Sequence, residues 1–174
     1  GIAIWPIALI REIFRLGNET NPFVNLSDGA HIENLGAYEL LRRHCRCIVI
    51  SDAGADPDYE FEDLANLVRK ARIDLGVEIN LDLSSLAPAK NKEEQSLSRS
   101  QFAIGSIEYK DKSSGHLIYI KAAVTEKEPP DILAYRRTHD EFPNETTADQ
   151  FFDESQFESY RELGYRAAKA LFGP

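Results

Sequence analysis

The residues best suited to chemistry in this chain are acidic. Asp28 stands beside Gly29 and Ala30 in a turn that follows the apolar run Phe23-Val24-Asn25-Leu26, with His31 and Asn34 close behind. A carboxylate just past the carboxyl end of a strand lies where open α/β sheets bind their ligands. Gly29 lets the backbone turn tightly with no side chain blocking approach to that carboxylate. An aspartate placed this way can take a proton from an attacking hydroxyl, the work of a general base. The same residues also suit a turn aspartate that bonds its own backbone. His31 either lines such a site or is an exposed turn histidine, since nothing in the sequence fixes its partner.

Two other clusters invite a metal and fit one poorly. Asp52, Asp56 and Asp58 follow an apolar run, but their spacing is not that of a calcium loop, which needs a central glycine and a closing glutamate. A phosphohydrolase built on Asp52 would need a second adjacent carboxylate, and Asp52-Ala53-Gly54-Ala55-Asp56 has none. Turn and cap duty is the plainer role. His44, Cys45 and Cys47 lack the second pair of ligands that a structural zinc site requires. The two cysteines are too close in an extended segment for a disulfide. No metal and no cofactor is expected.

The elements that would position these residues follow from periodicity. Positions 9, 10, 13, 14 and 16 approximate one helical face, and Gly17-Asn18 stops it. Residues 23–26 read as a short strand. Asn34 is the expected N-cap of a helix through Leu35, Tyr38, Leu40 and Leu41. Cys47-Ile48-Val49-Ile50 has the continuous apolar character of a strand covered on both faces. Phe61, Leu64, Leu67, Val68 and Ala71 predict a helix ending near Gly76. Val77, Ile79, Leu81 and Leu83 alternate as a strand with one polar face does. Strand, helix, strand, helix, strand predicts an α/β domain with a mostly parallel sheet and flanking helices in three layers. A polar, mobile loop is expected over 84–100, then a β-hairpin from 102–109 and 116–122. Asp153 with Gln156 opens a C-terminal helix whose apolar positions recur every three or four residues. One domain over 1–174 is expected, with no internal repeat.

The stretch Val24-Asn25-Leu26-Ser27-Asp28-Gly29-Ala30-His31-Ile32-Glu33-Asn34-Leu35-Gly36 resembles the second catalytic block of the patatin-like and cytosolic phospholipase A2-like lipid acyl hydrolases. Asp28-Gly29-Ala30 matches that family's Asp-Gly-Gly or Asp-Gly-Ala triplet, and Asn34 its later asparagine. The strand Cys47–Ser51, the loop Asp52-Ala53-Gly54-Ala55-Asp56-Pro57 and the segment Thr147-Ala148-Asp149-Gln150-Phe151-Phe152-Asp153-Glu154 also look like large bacterial patatin-like proteins. The resemblance implies a Ser–Asp dyad acting on glycerolipid or phospholipid acyl esters, with Asp28 as the base and calcium not required. It covers the C-terminal part of the family's catalytic domain only. The nucleophile's Gly-x-Ser-x-Gly elbow and the glycine-rich oxyanion loop do not occur here. Gly105-Ser106 is the nearest imitation and falls inside a predicted strand. The isolated chain is therefore expected to be inactive, and a non-catalytic interaction or regulatory module retaining the fold is the alternative.

Composition narrows the remaining classes. The 174 residues carry 20 Lys+Arg and 29 Asp+Glu, a net charge of −9. That balance disfavours nucleic acid as a partner, which calls for a basic footprint. With 43% hydrophobic residues, an ordinary core can form. No apolar run reaches a membrane span. The chain has no methionine and opens on Gly1 in the apolar stretch Ile2 to Ile10, so a processed or excised piece of a longer protein is expected. Ile2 to Leu16 also raises peripheral contact with a membrane surface, although Arg11 and Arg15 are few basic residues for an interfacial helix. The expected location is cytoplasmic or peripheral at a membrane.

Overall fold

A computed structural model describes Ile10 and residues 28–88, 97–146 and 148–173. The chain divides into two units between Asn34 and Leu35. In the first, the described segment is a single 3₁₀ turn, Gly29–His31, capped by Asp28. The strand expected at 23–26 and the helix expected over 7–16 lie outside the described residues, apart from Ile10.

Among the described residues, the second unit is built on a four-stranded sheet in the order β1-β4-β3-β2. The strands are β1 (Cys47–Asp52), β2 (Glu78–Asn80), β3 (Phe102–Glu108) and β4 (Ser114–Lys121). Among the described strands only β1 and β4 run parallel, with Ile48 opposite Leu117 and Ile50 opposite Tyr119. The β2–β3 and β3–β4 pairs are antiparallel. The architecture is mixed α/β, and the expected mostly parallel sheet is corrected: among the described strands, antiparallel pairing dominates. The physical reason is the hairpin. Its two strands must be antiparallel, and it supplies both inner strands, so β2 at the far edge meets β3 rather than β1.

The strand expected to be covered on both faces is covered on one. Ile48, Ile50 and Asp52 of β1 are buried, whereas Val49 is 46% exposed. The expected strand over Val77–Leu83 keeps only three ladder residues. It ends where Asp82 Oδ1 accepts the Ser84 N–H at 2.9 Å, an Asx turn that redirects the chain.

Among the described residues of this unit there are four α-helices: α1 (Tyr38–Arg42), α2 (Glu62–Lys70), α3 (Pro130–Thr138) and α4 (Glu154–Phe172). Asn34 is not the cap of α1, as the sequence suggests. Gly36 adopts φ +69°, which breaks a helical path, and Ala37 takes the N-cap position instead. Helix α2 has Glu62 and Asp63 in its first turn and Arg69 and Lys70 in its last, matching the macrodipole. It continues into a π-helical segment, Ala71–Leu75, closed by Gly76 at φ +66°. Leu64, Leu67 and Ala71 share one core with Ile48, Ile50, Ala103, Ile107, Leu117 and Tyr119 on the sheet's inner face. A second core joins Val124, Ile132, Tyr135, Phe142 and Leu163.

The C-terminal helix begins at its expected cap, Asp153, whose Oδ1 accepts the Gln156 N–H at 2.7 Å. Its buried positions are Gln156, Ser159, Leu163 and Ala167; Leu163 and Ala167 lie on the expected apolar face through Phe157, Tyr160, Leu163, Gly164, Ala167, Ala168 and Leu171, whereas Phe157 is 61% exposed. Gln156 can be buried because its Nε2 donates to Glu145 Oε2 and to Asp149 Oδ2, each at 3.0 Å. Within the span expected to be a mobile loop, Ser98 is buried and donates from Oγ to Leu86 O at 2.6 Å. Ser100 N–H donates to Ser85 O at 3.0 Å.

Candidate functional site

Asp28 occupies the turn the sequence predicts for it. Its Oδ1 accepts the Ala30 N–H at 3.0 Å, and the His31 N–H donates to Asp28 O at 3.2 Å. The Ile32 N–H closes the turn on Gly29 O at 2.9 Å. Asp28, Gly29, Ala30, His31 and Asn34 are all exposed. One carboxylate oxygen is thus fixed by the backbone while the side chain stays open to solvent. A main-chain donor of this kind fixes the direction of the carboxylate and is the ordinary bond of an aspartate turn.

A second constellation sits at the carboxyl end of the parallel pair, and sequence reasoning missed its central member. Lys121, the last residue of β4, is 2% exposed. Its Nζ donates to Asp52 Oδ2 at 3.2 Å and to Gly54 O at 3.0 Å, and lies 3.8 Å from Asp56 Oδ2. Asp52 Oδ2 also accepts a hydrogen bond from the Tyr119 hydroxyl, and Asp52 Oδ1 accepts the Gly54 N–H at 2.8 Å. Burial, with the Asp52 carboxylate beside it, pushes the Tyr119 hydroxyl far above the ordinary tyrosine range. The signal was in the strand parity. Leu117, Tyr119 and Lys121 share one face of β4 as Ile48, Ile50 and Asp52 share one face of β1, so a lysine two residues past a core tyrosine had to be buried with a partner.

These charges open onto a cavity of about 240 Å³, walled by Asp56, Asp58, Glu60, Glu62 and Asp63 besides Asp52 and Lys121. Asp56 is spent on the backbone: its Oδ1 accepts the Glu60 N–H at 2.8 Å and its Oδ2 the Phe61 N–H at 3.0 Å. Those bonds hold Tyr59 and Phe61 at φ 53° and 54°, a left-handed conformation that bulky residues rarely adopt. The cluster is a clamp joining β1, β4 and the loop that enters α2. Among the described residues no group of three or more His, Cys, Asp or Glu could hold a metal ion.

The remaining candidates separate. Cys45 is half-buried and Cys47 exposed, both as free thiols. His44 stacks on Tyr109 with centroids 4.6 Å apart and lies 3.3 Å from Asp111. Ser106 is exposed inside β3, opposite His116, and so is not on a strand-to-helix elbow. No helix among the described residues is long and apolar enough to cross a membrane. Comparison with known proteins finds no matching family model, no matching curated protein and no matching solved structure.

Proposed function

We propose that this chain is the base-bearing part of a lipid acyl hydrolase that works through a Ser–Asp dyad. The observation that carries the reading is the Asp28-Gly29-Ala30 turn, where the carboxylate is exposed and oriented by the Ala30 N–H. Asp28 takes the proton of a serine hydroxyl as that oxygen attacks the ester carbonyl, then returns it to the departing alcohol. Water releases the acyl group from the serine by the same route in reverse. The 174 residues hold no Gly-x-Ser-x-Gly sequence, so the serine and oxyanion donors come from outside them. The substrate class is a glycerolipid or phospholipid acyl ester met at a membrane surface, with no metal in the reaction.

The test compares the 174-residue chain with the polypeptide encoded by the same frame together with its upstream residues, using a soluble p-nitrophenyl acyl ester. The longer protein is expected to turn over and the isolated chain is not. Asp28→Asn keeps the oxygen that caps Ala30 but removes the base, and is expected to cost the longer protein about 10²–10⁴ in kcat. An upstream frame with no elbow serine, or turnover indifferent to Asp28→Asn, sinks the reading. It would favour a non-catalytic module in which Asp28 does no more than cap its turn, a role its bond to Ala30 already fills.

A further inference from the structure

The chain is acidic overall, yet one cavity in its second unit reverses the sign. It has a volume of about 390 Å³, and Arg99, Lys127, Arg166 and Lys169 wall it. None of the four is buried. Arg166 is held by Glu162 at 3.0 Å and Arg99 by Ser84 O at 2.9 Å. Lys127 and Lys169 form no ion pair among the described residues. Glu128, the acid in that wall, is buried, and its Oε1 accepts from Gln101 Nε2 and Thr125 Oγ1. Phe102 also walls the cavity and links it to an apolar stripe. It shares the outer face of β3 with Ile104, two residues on. Ile104 stands opposite Ile118 of β4, and Ile118 opposite Val49 of β1. Ile104 and Val49 are exposed. On one side of this stripe the next row is Cys47, His116 and Ser106. On the other side α4 closes over the sheet, where Leu163 and Ala167 share a cavity wall with Ser51 and Ile120.

The surface therefore offers accessible cations at one end and an apolar track one residue wide leading away from them. An amphipathic helix or a bilayer needs a broader apolar face than this, whereas a single alkyl chain fits it. The track runs one step along β3 and two steps across the strands, about 16 Å in all. An extended chain of about a dozen carbons has that length. We propose that this surface binds a long-chain fatty carboxylate, its head among the cations and its chain laid along Phe102, Ile104, Ile118 and Val49. Ammonium and guanidinium groups make strong charge-assisted hydrogen bonds to a carboxylate, and each methylene taken out of water adds to affinity. The net charge of −9 opposes docking on an anionic membrane, so the occupant is the monomeric fatty acid. This inference does not depend on the role given to Asp28.

Calorimetric titration of the 174-residue chain with dodecanoate, decanoate, octanoate and butyrate, each kept below its micelle concentration, tests it. Saturable binding is expected, tightening about twofold per added carbon because an open sheet face covers only part of the chain. Dodecyltrimethylammonium has the same chain with the opposite charge and is expected not to bind. Lys127→Glu with Lys169→Glu changes two exposed side chains and is expected to weaken dodecanoate at least tenfold. Val49→Asn with Ile104→Asn interrupts the track at two exposed positions and is expected to weaken dodecanoate about tenfold while leaving butyrate, too short to reach Ile104, as it was. The two double variants act on opposite ends of the ligand, so if one fails to fold the other still decides. Absence of saturable dodecanoate binding, equal binding of the cationic amphiphile, or dodecanoate binding unchanged in either folded variant overturns the proposal. So does pelleting with phosphatidylglycerol vesicles in the absence of fatty acid, which would make the surface a membrane contact.

Discussion

Lys121 shows how a charge is tolerated beneath a sheet. Three oxygens surround its ammonium, and Asp52 is itself held by Tyr119 and the Gly54 N–H. Removing one partner leaves the other charged and buried, so Lys121→Met is expected to cost about 3–5 kcal/mol of unfolding free energy. Denaturant melts of Lys121→Met, Asp52→Asn and the double variant check this, with the double expected to cost less than the sum of the singles. The tyrosines give a second prediction. Burial pushes Tyr135 up to about 12, and raises Tyr119 and Tyr160 as well. The folded state then holds protons that the unfolded chain releases near the ordinary tyrosine pKa of about 10. The stability this represents is complete below that pH and is lost as pH climbs through the raised values. Absorbance at 295 nm and circular dichroism are expected to change together in alkali, and phenolate signals from these three residues appearing before unfolding would contradict this. At this scale the Asp28 turn was legible because Asp-Gly-Ala writes its own geometry locally. The buried Glu128 carboxylate was not, since its partners Gln101 and Thr125 come from just before β3 and from the chain after β4.

Local sequence specified most elements and fewer of their neighbours. The helix starting after Asp153 was readable from its cap, and Asp153→Ala is expected to lower stability by about 1 kcal/mol, measured by thermal melting. The hairpin was readable from two β-rich runs around a polar loop. Strand direction was not, because alternation tells which face a residue takes and says nothing of which strand lies beside it. Gly105 shows the close fit that results. A Cβ there would lie 2.3 Å from Asn80 O, across the β2–β3 pair. Gly105→Ala is expected to destabilise by about 1–3 kcal/mol, with hydrogen exchange of Glu78–Asn80 speeding up most. The burial of Gln156 in place of Phe157 on α4 escaped reading because a polar residue becomes a packing residue only once Glu145 and Asp149 are brought to it.

The molecule as a whole balances its surface charge against an apolar sheet face. Val49, Ile118 and Ile104 lie in one row across β1, β4 and β3, and Val49 and Ile104 are 46% and 58% exposed. The net charge of −9 keeps copies apart at neutral pH and vanishes near the isoelectric point of about 5.0. Light scattering is expected to rise as pH approaches that value, and Ile104→Lys to reduce the rise by breaking the row. Equal scattering by the two proteins would place the association elsewhere. The strand order carries one more consequence. β1 and β2 follow one another along the chain but occupy opposite edges, and the hairpin made last stands between them. A nascent polypeptide halted on the ribosome before Phe102 would therefore contain both flanks and none of the strand pairs described. Both must wait, unzipped, for a centrepiece still to be translated, so chaperone capture should peak in that interval and fall once Lys121 has cleared the exit tunnel.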